Sequence, residues 1–308
     1  MGQYSATFRP VRDTSIQHQL SGASTAWEAL DDISADDDST YIFQPVNTTT
    51  TGQTVTTVIV LSGSIESTAP KIRIDSATLH VRTYNTSATS GLGGSGSVKT
   101  DVIYEIEGTT GSGTASSSTT WTDRTISVDV SLFNNRIGAY EIPVTLATTG
   151  TRGTNNKSQD FEGRITQVYL EVTYDNYYDV TVIQCGTGSI QPSVEVREGD
   201  SYDSINIVGT DHKVVHVFDG ETEVTDQCTH EQENVLHYVV PNVTTNREIK
   251  AIFDDYVEVF VKRNGIWLKG DKVFIKAGGA WSEQTPSIDT VISGVFEGKK
   301  LLIDGKLN

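Results

Sequence analysis

Ile165-Thr166-Gln167-Val168-Tyr169-Leu170-Glu171-Val172-Thr173-Tyr174 carries the cleanest two-residue alternation in this chain of 308 residues. Side chains of an extended chain point alternately to opposite faces, so such a stretch reads as a strand buried on one face. The same signature recurs upstream in Lys71-Ile72-Arg73-Ile74, Ala77 to Tyr84, Asp101 to Ile106 and Ile126 to Val130. Val55 to Leu61 is β-branched and mostly apolar, as strands prefer. Only Ala26 to Ile33 offers a helical turn. Many strands with turn signals between them predict an all-β protein whose first 176 residues form an antiparallel sandwich of jelly-roll type.

Two segments, Thr86 to Ser97 and Thr109 to Thr120, are almost entirely Thr, Ser, Ala and Gly. They carry little apolar surface to bury and are expected as surface excursions. Gly91, Gly93 and Gly96 match G-x-G-x-x-G, but a strand, not a helix, follows, so no dinucleotide site is expected.

Charge divides the rest. The chain holds 23 Lys+Arg and 40 Asp+Glu, a net charge of −17. Residues 1–176 carry 11 basic and 19 acidic groups, 177–255 carry 4 and 15, and 256–308 carry 8 and 6. Three modules are therefore expected: a sandwich for assembly or docking at 1–176, an acidic spacer at 177–255 and a β-hairpin module at 256–308. Nucleic-acid binders concentrate basic charge, so nucleic acid is not an expected partner. No stretch approaches ~18 consecutive apolar residues, so no membrane span is expected. Met1-Gly2-Gln3-Tyr4 has neither a charged nor an apolar leader region, which predicts no secretory signal. Without export, Cys185 and Cys228 are expected as reduced, packed thiols, although a bridge between them stays open.

The middle module has an ordered set of signals: Tyr178 to Val182, Gly186-Thr187-Gly188-Ser189-Ile190, Val194 to Asp200, His212 to Gly220, Tyr238 to Val243 and Arg247 to Phe253. This order resembles the bacterial InlB-type B-repeat family over residues 177–254, departing from it at Val208-Gly209-Thr210-Asp211. The resemblance implies a small β-grasp or Ig-like spacer of bacterial surfaces and phage virions, with no catalytic residues. The last module repeats with period 14: Val259-Phe260-Val261-Lys262-x-x-Gly265-x-Trp267 recurs as Val273-Phe274-Ile275-Lys276-x-x-Gly279-x-Trp281. Asn264-Gly265 is a two-residue hairpin signal, and Gly278-Gly279 fills that place in the second copy. The repeat is similar to tail repeats of phages of Gram-positive hosts. Ala6-Thr7-Phe8-Arg9-Pro10 and Trp27-Glu28-Ala29-Leu30 resemble openings of phage structural proteins. Ala77 to Arg82, Thr120-Trp121-Thr122 and Val128-Asp129-Val130 are similar to jelly-roll modules of surface and carbohydrate-binding proteins.

These resemblances imply a structural protein of a phage particle's exterior, a head decoration, head fibre, collar or tail component assembled in the host cytoplasm, with a bacterial cell-surface β-repeat protein as the alternative that would require export. The implied partners are other virion proteins and further copies of the chain in a symmetric array. Chemistry is weakly represented. Asp31, Asp32, Asp36, Asp37 and Asp38 are a calcium candidate without EF-hand spacing, and read more readily as a solvated loop whose side chains cap local turns. His212, His216, Cys228, His230 and His237 lack a zinc-organising motif. No nucleophile elbow or β-helix ladder marks an enzyme. No cofactor, metal or catalytic residue is expected. Trp27, Trp121, Trp267 and Trp281 remain as contact residues for a protein interface or a host-surface polysaccharide.

Overall fold

A computed structural model describes residues 3–15, 17–30, 40–48, 52–86, 96–153, 159–209, 213–232 and 234–253, and the backbone of six strands between 258 and 303. The chain divides into two compact units, residues 2–177 and 178–308.

The strands of the first unit are β1 Gln3–Ser15, β2 Gln19–Ser21, β3 Tyr41–Thr48, β4 Gln53–Ile65, β5 Lys71–Asn85, β6 Ser97–Ile106, β7 Thr109–Ser116, β8 Thr122–Ser127, β9 Gly138–Thr151 and β10 Gln159–Cys185. Among the described residues all pairings within this unit are antiparallel. One sheet runs β3-β10-β5-β8 and the other β4-β9-β6-β7; from β3 to β10 the chain changes layer at every connection except the β6–β7 hairpin. That order is a jelly roll. β1 serves both sheets: Gln3 to Phe8 pair with β10, and Arg9 to Ser15 pair with β4 across two bulges. Leu30 fills the gap beside β10 between β3 and β1, where its carbonyl accepts from Val168 N at 3.1 Å.

Alternation places one face of each strand in a shared core. Ile59, Leu61, Leu79, Val102, Ile142, Val144, Leu146, Val168, Leu170 and Val172 are all essentially inaccessible. One end of this core is polar. Gln44 Nε2 donates to Thr57 Oγ1 and to Leu146 O, both at 3.0 Å, and Gln44 Oε1 accepts from Thr148 Oγ1 at 2.5 Å. Thr148 Oγ1 lies 3.2 Å from Thr100 Oγ1, which donates to Asn85 Oδ1 at 3.0 Å. Asn85 Nδ2 in turn donates to Ser116 O at 3.1 Å.

Two expectations change. Thr109 to Ser116 is no surface excursion but strand β7, paired with β6 from Thr100↔Ser116 to Ile106↔Thr109. Its composition is spatial: a Cβ on Gly111 would stand 2.3 Å from the Tyr104 ring, and one on Gly113 2.8 Å from Ile126. Glu107 and Gly108, both at positive φ, make the two-residue turn before it. The strand expected from Ile126 to Val130 stops at Ser127, because Asp129 accepts from Ser131 N at 2.9 Å and caps a 3₁₀ turn, Val130–Phe133. Around Ala26 the expected helical turn is present as far as Leu30, with Ala29 N donating to Thr25 O at 3.2 Å, while residues 31–33 lie outside the described residues. Thr25 Oγ1 accepts from Glu28 N while Glu28 accepts from Thr25 N, a reciprocal capping box. Residues 31–39, 87–95 and 154–158 lie outside the described residues, the acidic run Asp31–Asp38 among them.

The second unit adds β11 Ser189–Ile190, β12 Val194–Arg197, β13 Tyr202–Val208, β14 Val214–Asp219, β15 Thr222–Glu223, β16 Thr229–Gln232, β17 Val235–Val240 and β18 Arg247–Phe253. Val180 to Cys185 of β10 pair in parallel with β18, and β14 pairs with the other edge of β18. A second sheet runs β11-β13-β17-β16. Val180, Val217, Ile249, Ala251 and Phe253 are fully buried in the first of these sheets, as are Ile205, Ile207 and Val240 in the second. Asp219, 8% exposed, is held by the Arg247 guanidinium, whose Nε donates to Oδ1 at 2.8 Å, and by the Tyr238 hydroxyl at 2.8 Å.

Beyond Phe253 follow β19 Glu258–Arg263, β20 Ile266–Gly270, β21 Val273–Ala277, β22 Ala280–Gln284, β23 Val295–Glu297 and β24 Lys300–Ile303. The period-14 repeat is visible in the pairing. Arg263↔Ile266 and Ala277↔Ala280 close two equivalent hairpins, with Lys262↔Trp267 and Lys276↔Trp281 in matched register. Among the described residues no helix is long and apolar enough to cross a membrane.

Two substitutions test this packing. Gly163→Ala would set a methyl 2.3 Å from Thr148 Oγ1, and should lower the unfolding free energy by about 1–3 kcal/mol in urea titration. Asp219→Ala strands the half-buried Arg247 and should cost about 3 kcal/mol, read as a lower urea midpoint at unchanged slope.

Candidate functional site

The outward residues of β3, β10, β5 and β8 form the most elaborate surface of the first unit. Strand register sets them in rows. Phe43, Arg164 and Tyr84 lie side by side; so do Gln167, Arg82 and Asp123, and then Tyr169, His80 and Thr125. Trp121 immediately precedes β8 and packs its ring against Tyr84 at 5.6 Å and Tyr41 at 5.9 Å between centroids.

Two arginines here are each fixed by a carboxylate and a ring. Arg82 donates to both oxygens of Asp123 at 2.9 Å and lies 5.8 Å from the Trp121 centroid. Arg164 donates to Glu162 at 2.5 Å and sits 5.0 Å from the Tyr41 ring and 5.3 Å from Tyr84. Cation–π contacts of this kind contribute about 0.5–1 kcal/mol each at exposed positions and immobilise both groups. At the other end of the face His80 stacks flat on Tyr169, 4.3 Å between centroids and 3° between planes, with Arg9 on that ring at 5.6 Å. Burial pushes the Tyr169 hydroxyl pKa up, and the neighbouring Glu171 adds to the effect. His80 Nε2 is inaccessible and 3.6 Å from Glu171 Oε2.

Two recesses flank the rings. One, of about 360 Å³, is lined by His80, Asp123, Arg124, Thr125, Gln167 and Tyr169. The other, of about 480 Å³, lies beside Asn47, Thr86, Asp160, Phe161, Glu162 and Arg164. Between them the face offers carboxylates, an amide, hydroxyls and guanidinium groups around aromatic rings. That set suits recognition of a polar, partly planar surface.

Of the four tryptophans singled out in the sequence, Trp121 belongs to this surface. Trp27 is half-buried on the turn between β2 and β3 and joins no ring pair among the described residues. Trp267 and Trp281 occupy matched strand positions, and their side chains lie outside the described residues. The partners of Trp121, namely Tyr41, Tyr84 and Arg82, were not singled out beforehand, and neither was Arg164, which sits on the two tyrosine rings. The signal was present as the polar half of each alternating strand, but only register shows which of those residues become neighbours.

The histidine and cysteine candidates separate. His212 lies outside the described residues. His216 instead pairs with Glu223 at 2.6 Å and holds that carboxyl below its usual range. His230 is exposed on β16, and no three His, Cys, Asp or Glu groups converge as metal ligands among the described residues. Cys185 and Cys228 are not joined by a disulfide; Cys185 is half-buried and Cys228 buried against Val224 O at 3.5 Å.

Desolvation pushes the Cys228 thiol up to about 11. An unfolded thiol ionises near ~8.5, so over this window the unfolded chain binds fewer protons than the folded one. Stability should therefore be full below pH ~8.5 and fall as pH rises towards about 11. Burial also raises Tyr238, which extends the fall above pH ~10. Urea titrations at stepped pH check this, and Cys228→Ala should remove the part of the slope that begins at the lower pH.

No known family model matches the sequence, and no curated protein matches it. Among solved structures, one of TmCBM61 in complex with β-1,4-galactotriose is similar over 55% of this chain and 86% of that one, at 12% identity and a TM-score of 0.29.

Proposed function

We propose that this chain is a non-catalytic structural component of the exterior of a bacteriophage particle, working through contacts rather than turnover. The observation that carries the contact reading is the arginine–aromatic face on β3, β10, β5 and β8. Trp, Tyr and Arg dominate binding energy at interfaces, and side chains already fixed before contact lose little freedom on association. Arg82 and Arg164 meet both conditions, each tied to a carboxylate and a ring. The virion setting rests on the resemblances of residues 177–254 and of the period-14 repeat. In this reading the sandwich docks on the particle, the acidic unit spaces, and the paired hairpins make a further contact.

A host-surface polysaccharide is the second reading, favoured by the recess beside His80 and Tyr169. Its amide, carboxylate and guanidinium groups could meet sugar hydroxyls beside a ring stack.

Antibody against this chain, applied to particles from a producing culture under immunogold microscopy, tests the setting. Regular label over heads, collars or tails supports it, and unlabelled particles overturn it. The face is tested separately by Trp121→Ala combined with Arg164→Ala. Incorporation into particles should fall at least ~10-fold while the unfolding midpoint moves little, because both residues lie outside the inter-sheet core. Unchanged incorporation together with lost binding to cell-wall polysaccharide would favour the second reading.

A further inference from the structure

The outward face of the opposite sheet has a different character. Register across β1, β4, β9 and β6 sets Val58, Thr145 and Ile103 in one row, Arg12, Val60 and Pro143 in the next, and Ala147 beside Thr56. Val60 and Ala147 are only 3% and 8% exposed although they point away from the inter-sheet core, while Ile103 is 41% exposed. Neighbouring groups therefore already cover Val60 and Ala147 at the centre of the face, and Ile103 stands accessible beside them.

Charge singles it out further. On a protein of net charge −17, two copies repel wherever their surfaces are acidic. Here the charges around the apolar centre are neutralised locally: Arg12 with Glu141 at 2.7 Å and Lys99 with Asp101 at 2.6 Å. Glu105, outward on β6, stands at the border nearest β7. Four strands ~4.8 Å apart and nine residues at ~3.4 Å rise make a face of roughly 600 Å². Two such faces together bury roughly 1,200 Å², the lower bound for a stable dimer.

We propose that this face seats a second copy of the chain in an isologous pair. A two-fold axis along the strands, between β4 and β9, superposes Val60 on the partner's Pro143 and Val58 on the partner's Thr145. It also carries Arg12 over the partner's Glu105, so the border carboxylate gains a cation from the other copy. The contact is independent of the arginine–aromatic face, which stays open on the outside of each pair.

Light scattering on the full chain, over about a hundredfold range of concentration, tests the pairing. The expected result is a dimer that Ile103→Lys converts to monomer, with at least a ~100-fold weaker association and an unchanged far-UV spectrum. Arg12→Glu should weaken the dimer and Glu105→Arg added to it should restore it, while Trp121→Ala leaves the dimer intact. A monomer throughout the range overturns the proposal, as does a dimer that Ile103→Lys does not weaken.

Discussion

The hydrogen-bond chain from Gln44 through Thr148 and Thr100 to Asn85 is the constraint on which the first unit turns. Its members come from β3, β9, β6 and β5, two strands of each sheet, and all four side chains are fully buried. A buried amide or hydroxyl without a partner costs about 1–3 kcal/mol, so the chain is satisfied only when the sheets face each other in one register. An apolar core tolerates sliding by small repacking; this end of the sandwich does not. A one-residue slip would also turn every inward residue outward.

The arginine–aromatic face is the far side of the same constraint. Tyr84 precedes Asn85 on β5, and Phe43 precedes Gln44 on β3. Once Asn85 and Gln44 are held inward, Tyr84 and Phe43 must point out, flanking Arg164 on β10. The rings converge because the polar chain behind them fixes the strands. Gly163 belongs to this logic: it lies between Glu162 and Arg164, and its missing side chain leaves room for Thr148 in the chain.

The jelly roll was legible in the sequence because it depends on alternation, and alternation is a local property. Ile165 to Tyr174, Ala77 to Tyr84 and Asp101 to Ile106 all lie in strands whose apolar halves face the core. Strand β7 was hidden because its fitness for the sheet lies elsewhere, in the volumes of Tyr104 and Ile126 that its glycines accommodate. The site was half legible for a related reason. Trp121 stands out by residue type, but Arg82, Tyr84 and Arg164 look like ordinary solvent-facing strand residues until cross-strand neighbours are known. Asp219 shows the same limit in the second unit. Its Asp-Gly turn is readable from sequence, whereas its pairing with Arg247 and Tyr238 is long-range.

The division of β1 between two sheets has a consequence for how the chain comes to be folded. Its first half pairs with residues 170–175 and its second with residues 58–62, so it completes one of its ladders only after some 165 further residues exist. Contacts of such sequence separation form late and slow the search for the native state. Until β10 emerges, the half of β1 ending in Phe8 presents an unpaired strand edge, the kind of surface on which chains join wrongly. Pro10 and the two bulges that follow it lie just downstream, where they break the flat edge that a neighbouring nascent chain would need.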